Sequence, residues 1–199
     1  MRQLTARLSA IALLAMLVPL LNGPAYAGPA KTEVRMEIPA DAVPFAYLVA
    51  DNGKPVDFSI RTEKTASGKA VVFTVSPQVI TCTAWSAPKP TYSGNQTSHT
   101  MHFGISATCS AAISIRLRVS LWNGPTSDDI TTVQYGDGWK YVTGSGGDNP
   151  TRNCVDWGYS TWWKLLGYAE ADSNGDMLYE HFNPYPGEAV SLEGCADIV

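Results

Sequence analysis

Nowhere in the 199-residue chain do about twenty apolar residues run together, the length a membrane-spanning helix needs. No Cys-x-x-Cys pair is present, which argues against a redox dithiol. Gly-x-Ser-x-Gly and His-Glu-x-x-His are also missing, so no nucleophile elbow or helical zinc-protease motif is written in the chain. Histidine is scarce. His99 and His102 are three apart, but on a strand an odd separation points to opposite faces, and His181 stands alone. Basic residues thin out along the chain. Residues 28–120 carry a net +3, whereas residues 121–199 hold only Lys140, Arg152 and Lys164 against twelve Asp/Glu, a net −9. An acidic surface of this kind repels phosphate backbones, so nucleic acid is not an expected partner.

The amino end has the three parts of a secretory signal. Arg2 and Arg7 charge it, Ile11–Leu21 is apolar, and Ala25-Tyr26-Ala27 offers small residues for cleavage before Gly28. Eleven apolar residues rise only ~16 Å as a helix, about half of a hydrocarbon core. The expectation is a signal peptide over 1–27, a secreted (extracellular) bacterial product and no membrane span after cleavage. The remaining 172 residues suit one domain. Residues 28–78 are expected to form an N-terminal β-strand segment packing on a disulfide-bonded β-sandwich over 79–199, with 28–199 possible as a single unit.

Period-2 alternation dominates the middle of the chain. Ile113, Ile115, Leu117, Val119 and Leu121 alternate with Ser114, Arg116, Arg118 and Ser120, the pattern of a strand with one buried and one wet face. Met101, Phe103, Ile105, Ala107 and Cys109 predict a second such strand. Val34/Met36/Ile38, Phe58/Ile60, Val71/Phe73/Val75 and Ile80/Cys82/Ala84 predict shorter ones. Asn52-Gly53 predicts a hairpin turn between Phe45–Ala50 and Pro55–Arg61. Val133/Tyr135 and Trp139/Tyr141 are weaker strand candidates. Gly144–Pro150 has nothing with which to pack a core and is expected to be a loop. In Ser160–Ala171, Trp162, Trp163, Leu165, Leu166 and Ala169 could form a helical stripe or a strand; Trp and Tyr enrichment and the Ser173-Asn174-Gly175-Asp176 turn before Met177–Phe182 favour the strand. Short strands with closely spaced turns predict an all-β, antiparallel, immunoglobulin-like β-sandwich.

Four cysteines permit three pairings. The favoured set is Cys82–Cys109 and Cys154–Cys195, because both loops fall within short meanders and the first pair shares an inward parity. An inter-sheet bridge is the expected geometry. The residues around the first pair are Ile80-Thr81-Cys82-Thr83, Pro90, Tyr92-Ser93-Gly94, Cys109-Ser110 and Ile113–Trp122. On these the chain resembles a group of small exported proteins of high-GC Gram-positive bacteria with no known function. The resemblance implies a disulfide-pinned β-sandwich with the later cysteines forming a second bridge, and it implies no activity. The acidic, tryptophan-rich second half of this chain departs from that group.

Chemistry is harder to find than fold. Asp172-Ser173-Asn174-Gly175-Asp176 begins like a calcium loop, but Met177 and Asn183 occupy the positions where an EF-hand needs Gly and Glu, so a hairpin tip is the preferred reading. Glu170, Asp172, Asp176 and Glu180 could supply a glycosidase pair, though acidic residues on a solvated turn are the ordinary reading. No metal, cofactor or catalytic residue is assigned, and no enzyme activity is expected. Tryptophan and tyrosine cluster beyond residue 121, and ring faces of this kind stack on sugars. The candidate ligand-binding set is Trp157, Trp162, Trp163, Tyr168, Tyr179 and Glu180, with the reservation that adjacent Trp162 and Trp163 cannot share a strand face. A non-catalytic module binding extracellular polysaccharide or cell-wall polymer is the first reading. An inhibitor or surface-assembly component gripping an exported protein through Gly144–Pro150 is the second, and a hydrolase the third.

Overall fold

The computed structural model describes residues 30–52, 54–86, 91–95, 98–155, 161–184, 191–194 and 197–198. The expected signal segment lies outside the described residues. The chain is all-β, and its strands pair antiparallel, with no helix among the described residues. In order these are β1 (Thr32–Ile38), β2 (Val43–Ala50), β3 (Ser59–Lys64), β4 (Lys69–Val75), β5 (Ile80–Ser86) and β6 (Thr91–Asn95). Next come β7 (Ser98–His102), β8 (Ile105–Cys109), β9 (Ser114–Gly124), β10 (Thr132–Gly136), β11 (Lys140–Thr143) and β12 (Ser145–Asp148). The last six are β13 (Thr151–Val155), β14 (Thr161–Asp172), β15 (Glu180–His181), β16 (Asn183–Pro184), β17 (Ser191–Gly194) and β18 (Asp197–Ile198).

Among the described residues they form three sheets. The largest runs β15-β14-β9-β11-β12-β8-β5-β2-β16, with β10 beside β9 and β17 beside β14. Its two ends are the same piece of chain. Glu180 and His181 pair with Ala171 and Glu170 of β14, while Asn183 and Pro184 pair with Tyr47 and Ala46 of β2. Phe182 between them donates its N–H to the Ala169 carbonyl and buries its ring in the core. The sheet therefore closes on itself around one interior, a way of removing exposed strand edges. That interior takes Leu48, Cys82, Ile105, Trp163 and the inward residues of β9, of which Ile115, Leu117, Val119 and Leu121 are wholly buried.

A second core lies outside this ring. The three-stranded sheet β1-β4-β3 turns Met36, Ile38, Val71, Phe73 and Val75 onto Tyr47, Val49 and Trp85 of β2 and β5. Its other face is covered by charge. Arg61 pairs with Glu33 at 2.8 Å and Glu63 at 2.7 Å, and Arg35 reaches Glu63 at 2.8 Å. These side chains come from the two edge strands and arch over Ala70 and Val72, which are fully buried on the central strand. A third sheet, β18-β13-β7-β6, completes the fold.

Several expectations change here. The Asp51–Lys54 turn exists, with Lys54 N–H bonded to the Asp51 carbonyl, but it does not make a hairpin. β2 is apolar on both faces and pairs with β5 and β16, whereas β3 exposes Ser59, Arg61 and Lys64 and pairs with β4. The strand expected over 101–109 is two strands in different sheets. Gly104 is the break: a Cβ there would come 2.6 Å from the Asp148 carbonyl oxygen, so only glycine lets the two chains cross. Opposite it, Asn149-Pro150 divides β12 from β13 in the same way. The expected Gly144–Pro150 loop contains strand β12, paired with β8. Its glycines serve close approach, since a Cβ at Gly146 would stand 2.6 Å from Val142 Cγ1. The exposed loop invoked for a protein partner is thus largely absent.

Cys82 and Cys109 are disulfide-bonded, directly opposite one another on neighbouring strands β5 and β8. The bridge lies within one sheet and not between two, because both strands belong to the same wall of the ring. Closing a loop of 27 residues is worth ~3.5 kcal/mol in the chain-entropy view. Cys195 lies outside the described residues, and with it the expected Cys154–Cys195 bridge. Phe182→Ala should remove the plug that joins the two ends of the large sheet. We expect a loss of about 3–5 kcal/mol in urea unfolding. A change below about 1 kcal/mol would mean that the closure contributes little.

Candidate functional site

The outer face of β9 is where charge and aromatic rings meet. Strand geometry places Ser114, Arg116, Arg118, Ser120 and Trp122 there, because the alternate positions are spent on the core. β14 runs antiparallel beside it and sets Glu170 opposite Arg116 and Tyr168 opposite Arg118. β11 sets Tyr141 on the other side of Arg116, and β15 sets His181 beside Glu170. One row therefore crosses four strands: Tyr141, Arg116, Glu170, His181.

Glu170 anchors the row. It is 2% exposed, accepts hydrogen bonds from the Arg116 guanidinium, and lies 2.7 Å from His181 Nδ1. Burial works against the Arg116 charge, but the bonds to Glu170 and Tyr141 outweigh it and hold the guanidinium above its usual range. The His181 ring is 84% exposed, so a buried carboxylate holds an imidazole that faces solvent.

Rings and guanidiniums alternate along the same face. Arg116 lies 4.3 Å from the centre of the Tyr179 ring and 4.7 Å from that of Trp139. Arg118 lies 5.0 Å from Trp139 and 4.7 Å from Tyr168. All four distances are within cation–π range. Tyr179 is fixed further by Ser114, hydroxyl to hydroxyl at 2.8 Å, and meets Tyr141 edge-on. Tyr141 and Tyr168 are 59% and 41% exposed, so the ladder presents rings to solvent. The arrangement is an aromatic surface with guanidiniums set between its rings.

The residues singled out from the sequence fall in different places. Tyr168 and Tyr179 belong to the ladder. Trp162 is half-buried on the same face of β14, whereas Trp163 is wholly buried and leaves no ring face for a ligand. Trp157 lies outside the described residues. Glu180 accepts a hydrogen bond from the Ser173 hydroxyl at 2.9 Å. Arg116, Arg118, Trp139 and Tyr141 were not in the candidate set; the signal for them is the shared parity of the two arginines on β9 and of Trp139, just before β11, with Tyr141 on it. The hairpin carboxylates do not form a solvated cluster. Glu170 and Asp172 are buried, and Asp172 caps the turn by accepting the Gly175 and Met177 N–H groups. His181 is not isolated, since the hairpin brings it to Glu170. His102 is exposed, and the His99 side chain lies outside the described residues. No group of three or more His, Cys, Asp or Glu placed to hold a metal occurs among the described residues.

Two clefts adjoin these elements. One of about 260 Å³ is lined by Phe45, Gly167, Tyr168, His181 and Phe182. The other, of about 310 Å³, sits at the corner where β7 gives way to β8, between Pro39, Trp85, Phe103 and Asn149. Below that corner Tyr135 donates its phenol to Asp137 at 2.6 Å, with Arg152 over its ring at 4.2 Å. Burial and the Asp137 carboxylate push the Tyr135 phenol up to about 12. The bond from Tyr135 and the Gly138 N–H hold Asp137 below the usual carboxylate range. Asp148 is buried with Oδ2 unpartnered, and burial, then Asp137, pushes its carboxyl up.

A scan against protein-family models and a search of curated proteins each found no match to this chain. No helix among the described residues is long and apolar enough to cross a membrane.

The raised Asp148 carboxyl makes a signed prediction. A carboxyl that keeps its proton longer in the folded state destabilises that state once pH rises past the unfolded value near 3.9, and the cost is complete above the folded value. Asp148→Asn should therefore raise the melting temperature at pH 7, and the gain should shrink toward zero at pH 3. An equal shift at both values would show that burial of the charge is not the cause.

Proposed function

We propose that this protein is an exported, non-catalytic module that binds glycan or cell-wall polymer through the outer face of β9, β11 and β14. The observation that carries this reading is the ladder Tyr179, Arg116, Trp139, Arg118, Tyr168, with Tyr141 and Tyr168 open to solvent. Sugar rings present C–H faces that stack on phenol and indole, and hydroxyls that charged groups bind. Rings already held by guanidiniums lose little freedom on binding, which favours affinity. The disulfide is compatible with an oxidising, extracellular setting. The same reading takes residues 1–27 as a cleaved secretory signal and the closed sheet as a flattened, immunoglobulin-like sandwich. It also pairs Cys154 with Cys195. In support of that bridge, β13 pairs with β18 so that Cys154 is opposite Ile198, three residues beyond Cys195.

A protein partner is the second reading, favoured by the same Tyr, Trp and Arg side chains, which are enriched at the centres of protein interfaces. Retention on insoluble polysaccharides separates the two. We expect the protein to be retained on at least one polysaccharide, and Tyr168→Ala or Trp139→Ala to weaken binding by about tenfold or more, the equivalent of about 1.4 kcal/mol per ring. No retention by the native protein, together with recovery of a stable complex with another exported protein, would favour the second reading.

A further inference from the structure

We propose that the polymer bound by this face is acidic, and that Arg118 takes the carboxylate of a uronic-acid unit. The inference rests on the glycan-binding reading above and deepens it. The two guanidiniums of the ladder differ in one respect. Arg116 is neutralised by Glu170, directly opposite on β14. Arg118 faces Tyr168 instead and contacts only the Trp139 and Tyr168 rings, with no carboxylate against it among the described residues. Twelve carboxylates lie beyond residue 120, and none of those whose side chains are described is placed there. Guanidinium stays charged at any physiological pH. Stacking engages its faces and leaves its edge N–H groups as a planar fork, the shape that matches a carboxylate bidentately.

The neighbouring cleft supplies the rest of a sugar site. Tyr168 is common to both features: its ring lies 4.7 Å from Arg118, and it lines the cleft of about 260 Å³ with Phe45, Gly167 and Phe182. Gly167 is needed to shape it, because a Cβ there would come 2.6 Å from Phe45 Cζ. At the rim His181 is tied through Nδ1 to Glu170, which leaves Nε2 to bond a sugar hydroxyl. A pyranose stacked on Tyr168 thus has an apolar wall on one side, an imidazole at its rim and a bidentate cation beside it. Neutral sugars would use the wall and the imidazole but bring no anion to the edge of Arg118.

The test uses the full chain with polygalacturonate, alginate and hyaluronate, each compared with its carboxyl-reduced, neutral counterpart by calorimetry or affinity electrophoresis. At least one acidic polymer should bind ten times more tightly than its reduced form, and this preference should fall as salt rises. Arg118→Gln should erase the preference, so that the acidic polymer and its reduced form bind this variant equally, whatever the loss to both from loosening the Trp139 and Tyr168 rings. Arg118→Lys, which keeps the charge but not the fork, should retain only part of it and serves if the glutamine variant misfolds. Equal binding of acidic and reduced forms, or an acidic preference that survives Arg118→Gln in a folded protein, would overturn the role of Arg118 and leave glycan binding intact. No binding of any polymer, acidic or neutral, would overturn both readings together.

Discussion

The register of β14 against β9 is the constraint that orders the rest of the surface. Eleven consecutive residue pairs, Trp162 opposite Gly124 through Asp172 opposite Ser114, hold the two longest strands together. Side chains alternate with a period of two, so a slip of one residue would send Trp163, Ala169 and Ala171 outward and bring Glu170 into the core. In the observed register the core face is apolar from Ile115 to Leu121 on β9 and from Trp163 to Ala171 on β14, and Glu170 meets Arg116 outside it. An ion pair whose carboxylate is shut from solvent contributes little net stability, but it strongly disfavours arrangements that leave either charge alone. The Arg116–Glu170 contact therefore acts as a register mark. The positions of Tyr168, Trp139 and Tyr179 around the guanidiniums are its consequence.

Closure of the large sheet turns this face to solvent, with Tyr141 and Tyr168 exposed. Because β15 and β16 join β14 to β2 through Phe182, the outer side of β9, β11 and β14 is one wall of a closed ring. The opposite wall, β2 and β5, is covered by the small three-stranded sheet and its lattice of Arg35, Arg61, Glu33 and Glu63. One wall is thus buried under a second core, and the other carries rings. The glycines obey the same logic. Gly104 allows two chains to pass within backbone contact, Gly146 takes the Val142 side chain against its backbone, and Gly167 makes room for the Phe45 ring beneath the ladder.

Much of this is legible in the chain, for stated reasons. β9 is long, strongly alternating and sets its own faces, so Arg116 and Arg118 could be placed on a wet surface from the sequence, whereas Trp162, Trp163, Leu165 and Leu166 of β14 fit a helical stripe as well as a strand. The opposed directions of Trp162 and Trp163 come from the same rule. What alternation does not carry is which strand lies beside which. Asn52-Gly53 marks a turn but not the sheet that receives the next strand, and Met101–Cys109 keeps its alternation straight through a change of sheet at Gly104. Glycine-rich β12 looks like a loop because its role is to permit contact and not to make it. The Glu170–His181 contact was hidden for a related reason. It depends on a hairpin register that Asn174-Gly175 suggests but does not number.

The most direct test of the register mark is a double-mutant cycle on Arg116 and Glu170, with stability read by urea unfolding. If the pair acts as one unit, Arg116→Met and Glu170→Met should each be costly, and the double variant should lose far less than the two losses combined. Losses that simply add would contradict it: the two side chains would then be independent, and the ordering of the aromatic face would need another cause.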